Sequence, residues 1–180
     1  MHIELPSWID DVVPPPSGAL REQRMRFVIE LAQYSVRHGG GPFAAAIFNI
    51  ESGECVGRGV NLVHILQCSM LHAEVVAIVE AERVVGAYSL SQRGRFELYS
   101  SAEPCAMCLG AIPWSGVQRL VCAARDEDIR AIGFDEGMKP QPWSEALTSR
   151  GIDVVVDVLR AEAVEVLVSY KAVGGIMYNG

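Results

Sequence analysis

Apolar positions follow two rhythms along this chain. Leu20, Phe27, Leu31 and Tyr34 recur at roughly helical spacing, which predicts a helix over residues 18–38 with Ser17 as its N-cap. The run Gly39-Gly40-Gly41-Pro42 ends it. Residues 43–50 read as a buried strand, Ser52-Gly53 as a turn, and 54–62 as the hairpin partner. A second helix is expected over 71–86, stopping near Gly86, and a third strand over 96–101. Residues 104–112 suit a short helix with Pro104 in its first turn. A fourth strand over 117–123, short helices at 126–132 and 142–150, a fifth strand over 152–158 and a last helix over 160–173 complete the pattern.

The order α-β-β-α-β-α-β-α-β-α implies an α/β fold. Strands separated by helices favour a largely parallel sheet covered on both faces, while the tight turn makes the first pair antiparallel. The expectation is a three-layer α/β/α sandwich with one mixed five-stranded sheet. Prolines gather in Val13-Pro14-Pro15-Pro16, so residues 1–17 are read as a loosely ordered N-terminal arm and 18–180 as a single domain.

The chain has 180 residues, and half of them are apolar, enough to bury a sizeable core. The formal charge of −7 argues against a nucleic-acid enzyme, which normally presents a basic face to phosphate. Polar residues His2, Glu4, Asp10 and Asp11 interrupt any signal-peptide core, and no apolar stretch is long enough to span a membrane. Five cysteines, an odd number, point to a reducing cytoplasm rather than paired disulfides. There, a close cysteine pair is usually a metal or redox site.

That pair is Cys105 and Cys108, within Pro104-Cys105-Ala106-Met107-Cys108, and it follows His72-Ala73-Glu74. Each piece alone is weak. Together and in this order they match the zinc-deaminase signature H-x-E…P-C-x-x-C. Zinc accepts two thiolates and a neutral imidazole, and a catalytic site keeps its fourth position for water. Cysteines three apart share one face of a helical turn. Residues two apart do not, so His72 and Glu74 meet one ion only if it lies off the helix end. The N-termini of helices 71–86 and 104–112 are therefore expected to converge on Zn2+, with Glu74 as a proton carrier rather than a ligand.

With these residues the chain resembles the cytidine deaminase-like superfamily, and within it the bacterial guanine deaminases of purine metabolism. The resemblance also rests on Gly40-Gly41-Pro42-Phe43-Ala44-Ala45-Ala46, Asn61, residues 101–111 and Gly133-Phe134-Asp135-Glu136. It implies a zinc-dependent hydrolase acting on a small base. Phe43 would pack against the base and Asn61 would bind the purine edge, suiting an aromatic face and an amide. Ala73, Asp135 and Tyr178 are the further substrate contacts it implies. Glu136 is the expected second catalytic carboxylate, with register uncertain by one residue. The tail, 174–180, is expected to close over the site as a lid. A homodimer is also implied, and Ile112, Pro113, Trp114 and Val117 are candidates for its interface.

Three functions compete at this point. The first is conversion of guanine to xanthine and ammonia, with guanosine, an amino-triazine or cytosine as other substrates. The second is a tRNA adenosine deaminase, disfavoured by the acidic balance, Glu136 and the apolar tail. The third is a zinc-stapled binding protein, disfavoured because a structural site takes four protein ligands and needs no adjacent base. Cys55 and Cys122 are expected as core residues, and Cys68 as a loop or core thiol.

Overall fold

The computed structural model describes residues 3–178. Its strands are β1 (Ala44–Asn49), β2 (Cys55–Val60), β3 (Phe96–Ala102), β4 (Arg119–Ala124) and β5 (Asp153–Val155). Its α-helices are α1 (Arg21–Arg37), α2 (Ala73–Val85), α3 (Ala106–Ser115), α4 (Asp126–Ile132), α5 (Glu145–Thr148) and α6 (Arg160–Ala172). Two 3-10 turns, Ser7–Asp11 and Leu90–Gln92, were not foreseen.

The strands form one sheet in the order β2-β1-β3-β4-β5. β1 pairs antiparallel with both β2 and β3, while β3–β4 and β4–β5 are parallel. The sheet is thus less parallel than expected. The α2 crossover carries the chain from β2 past β1, so β2 and β3 run the same way with an opposed strand between them.

Strand alternation divides the core into two layers. Ala44, Ala46, Phe48, Tyr99, Val121 and Ala123 face α1, α4 and α6. Ala45, Ile47, Leu98, Leu120 and Cys122 face α2, α3 and α5. This is the expected three-layer sandwich.

Several local expectations need correction. α1 is capped at Leu20, not Ser17, because a turn closed by Ala19 N–H on the Pro16 carbonyl intervenes. The Gln23 side chain then accepts from Leu20 N–H at 2.7 Å. Pro104 precedes the α3 cap, Cys105, and lies outside the helix. The N-terminal segment is packed rather than loose: Ile3, Ile9 and Val12 are buried, and Arg58 holds the Ile9 carbonyl at 3.1 Å and Asp10 at 2.7 Å. Ile112 and Val117 are core residues and so unavailable to an interface, whereas Trp114 is 79% exposed. Among the described residues no helix is long and apolar enough to cross a membrane.

Candidate metal centre and active site

Helices α2 and α3 begin at one place. Their N-caps are His72 (φ −68°, ψ 155°) and Cys105 (φ −65°, ψ 172°), both extended. α2 can lie against the sheet because β2 carries Gly57 and Gly59 where it crosses. A Cβ at Gly59 would run into the Ala73 carbonyl, and one at Gly57 into the Ala77 carbonyl. α3 is set by the end of β3. Glu103 N–H bonds the Ala124 carbonyl at 2.8 Å, and its carboxylate accepts from Asp126 N–H at 3.0 Å at the start of α4.

The donor atoms of His72, Cys105 and Cys108 lie within 4.8 Å of one another. Cys105 Sγ is 3.5 Å from His72 Nδ1 and accepts from Cys108 N–H at 3.5 Å. Zinc bonds of roughly 2.3 Å to sulfur and 2.0 Å to nitrogen give a tetrahedral S···N edge of about 3.5 Å. No fourth His, Cys, Asp or Glu joins the group among the described residues. Donor chemistry, spacing and an open vertex all fit zinc.

The electrostatics also call for a cation. Hydrogen bonding from the Cys108 thiol, then from His72, holds the Cys105 thiol down at about 4 against the effect of burial. Burial and the negative Cys105 push the Glu74 carboxyl upward. The same two causes raise Glu136 to about 8, opposed by Lys139. Acidic groups this close, each resisting ionisation of its neighbours, describe a site short of positive charge.

Phe43, Asn61, His72, Glu74, Cys105 and Glu136 line one cavity of about 20 Å³. That is room for a water and not for a purine. The Asn61 side-chain carbonyl accepts from Val63 N–H at 3.1 Å, which leaves its NH2 as the free donor. The Phe43 ring meets Phe134 edge-on at 5.1 Å. Phe134 in turn meets Tyr178 at 4.9 Å, so the tail reaches the site of its own chain. Tyr170 steers the tail there: its hydroxyl donates to the Ile176 carbonyl at 2.7 Å, and its ring lies where a Cβ on Gly175 would point. The Tyr178 hydroxyl is buried against Gly41, with no hydrogen-bond partner among the described residues. Asn179 and Gly180 of the expected lid lie outside the described residues.

Two expected contacts are placed differently. Asp135 is ion-paired with Arg130 at 3.1 Å and accepts from Gly137 N–H at 2.9 Å, and with His72, Cys105 and Glu136 it lines an open recess of about 320 Å³. Its buried neighbour Glu136 lines the small cavity beside Glu74. The Ala73 methyl packs in the sheet-side core, leaving only its backbone at the helix start. Cys68 is not in the metal group.

Sequence reasoning missed Glu103 and Lys139. Glu103 belongs to the motif stretch but has no spacing signal of its own. Lys139 is one of only two lysines in the chain, and it is buried. A larger groove of about 540 Å³ between α1 and α6, lined by Gln33, Arg37, Glu165 and Ser169, contains none of the metal-binding chemistry.

Residues 19–124 match the cytidine and deoxycytidylate deaminase zinc-binding region. A guanine deaminase of Bacillus subtilis is 40% identical over 116 residues, 64% of this chain and 71% of that protein. A solved guanine deaminase from Nitrosomonas europaea superposes with a TM-score of 0.90 at 43% identity, covering 96% of each chain. Another solved structure, in complex with 2,6-diaminopurine, gives 0.92 at 44% identity, covering 99% of this chain and 96% of the other.

Proposed function

The chain belongs to the cytidine and deoxycytidylate deaminase family, which makes it a zinc-dependent hydrolytic deaminase, and we propose that it converts guanine and water to xanthine and ammonia. The observation that carries this reading is the His72–Cys105–Cys108 group with buried Glu74 beside it and outside the donor set. Guanine is favoured because relatives named guanine deaminase resemble this chain over most of its length.

When bound, zinc supplies the Lewis acidity that makes water nucleophilic at neutral pH. Glu74 takes one proton from the attacking water and passes it to a ring nitrogen, then takes the second, from the hydroxyl added to the ring carbon, and passes it to the departing amine. Burial favours the protonated carboxyl that the second half of this relay needs. Glu136 carries a proton at the exocyclic amine. Phe43 packs against the ring and the Asn61 NH2 donates to the purine edge. Backbone at Ala73 completes the site floor. Asp135, held by Arg130 at the rim of the recess that it shares with His72, Cys105 and Glu136, is a further contact for the base. Tyr178 closes the cavity, and its unpartnered hydroxyl supports a bond to substrate.

The protein acts in the cytoplasm as a homodimer. Exposed Trp114 and Met138, beside Pro113 around a recess of about 250 Å³, supply an apolar patch for that contact. Ammonia release from guanine, guanosine, cytosine, an amino-triazine and adenosine-34 tRNA tests the substrate. Guanine should turn over fastest, and preferential turnover of the tRNA would overturn the reading.

A further inference from the structure

The Lys139 side chain is only 2% exposed, three residues after Glu136. A buried ammonium is destabilising unless its charge and its donors are met. Here Nζ ion-pairs with Asp126, donates to the Pro104 carbonyl at 3.0 Å, and stands 4.0 Å from Glu136 Oε2.

Asp126 has another cation, since Arg130 Nε reaches it at 2.6 Å. The α4 start is held independently by the Glu103 carboxylate. Stapling α4 is therefore not a sufficient reason for a lysine at this depth. What Lys139 adds is a link between the Glu136 carboxylate and the peptide just before Cys105. Glu136 otherwise faces Cys105, Glu74 and Asp126, all acidic.

We propose that Lys139 is a positioning residue that fixes the Glu136 carboxylate against the Cys105 end of the site. The surrounding loop supports this. The Glu136 carbonyl accepts from Ala106 N–H at 2.9 Å, and Arg130 donates to the Gly137 carbonyl at 2.9 Å. The backbone on either side of the carboxylate is thus pinned, and Lys139 sets the remaining freedom, that of the side chain. The inference rests on the proposed role of Glu136.

The test is a double-mutant cycle of Lys139→Met and Glu136→Gln, reading kcat, KM for guanine, bound zinc and melting temperature. Lys139→Met should keep its zinc and its KM, with kcat falling about 10–100-fold, the usual cost of losing a supporting partner. In the Glu136→Gln background the same change should cost nothing further. If Lys139→Met fails to fold, Lys139→Gln, which keeps a donor for Pro104, carries the same criteria. Wild-type kcat in the lysine variant, losses that multiply in the double variant, or a loss accounted for by missing zinc would each overturn the proposal. Wild-type kcat in Glu136→Gln alone would overturn the role of Glu136 itself.

Discussion

Cys105 Sγ lies 3.5 Å from His72 Nδ1, although the two residues cap different helices and are far apart in sequence. Each stands where its helix leaves backbone N–H groups unpaired and the helix dipole is positive. Two such ends meeting favour both the thiolate and an anionic transition state. This meeting also explains why Glu74, two residues into the same helix end, can sit beside the ion without binding it.

Replacing Glu74 separates metal binding from proton transfer. Glu74→Gln should keep zinc near wild-type stoichiometry while turnover falls by roughly 10²–10⁴, the usual worth of a general acid–base group. Metal analysis alongside ammonia release checks this. Loss of zinc in parallel with activity would make Glu74 a ligand or a structural support instead.

Tyr178 packs on Phe134 and Gly41 and is the proposed lid, so its removal should weaken binding more than chemistry. Tyr178→Ala is expected to raise KM for guanine about tenfold, equivalent to roughly 1.4 kcal/mol. It should also raise the relative rate with guanosine. Steady-state kinetics on both substrates test the lid, and unchanged constants for both would remove it.

Gly59 lets α2 approach the sheet at Ala73, next to a metal ligand. Gly59→Ala should cost about 1–3 kcal/mol through overpacking. It should also weaken zinc retention, because the helix end carrying His72 is displaced. Chelator competition and thermal melting report the two effects, and a stable variant with normal zinc affinity would contradict the packing argument.

Asp128 supplies a pH-dependent test of stability. The Arg160 guanidinium, together with Arg125 N–H, holds its carboxyl below the ordinary 3.8. A pKa depressed in the folded state stabilises above the ordinary value and loses that stability as pH falls through the folded one. Asp128→Asn should therefore be less stable at neutral pH, by about 1 kcal/mol for a partly exposed pair. The gap should close on acidification below about pH 4. A gap that stays constant with pH would exclude the ion pair as its source.

The metal group was legible because its chemistry restricts residue types: His72, Cys105 and Cys108 have few other reasons to recur in that order. The sandwich was legible because continuous apolar runs, Ala44 to Phe48 and Leu120 to Ala123, mark strands covered on both faces. The antiparallel β1–β3 pairing was not, since a helical crossover does not say how many strands it skips. Nor was the ion pair of Asp135 with Arg130, which the end of α4 brings together. Lys139 was invisible for the same reason: its partners, Asp126 and Pro104, are brought to it only by the fold.

Metal reconstitution tests the central claim most directly. Protein stripped by a chelator and titrated with Zn2+ should release ammonia from guanine in proportion to bound metal, saturating at one ion per chain, with xanthine as the product. Full zinc occupancy with guanine left unchanged, or equal turnover by the stripped protein, would contradict it.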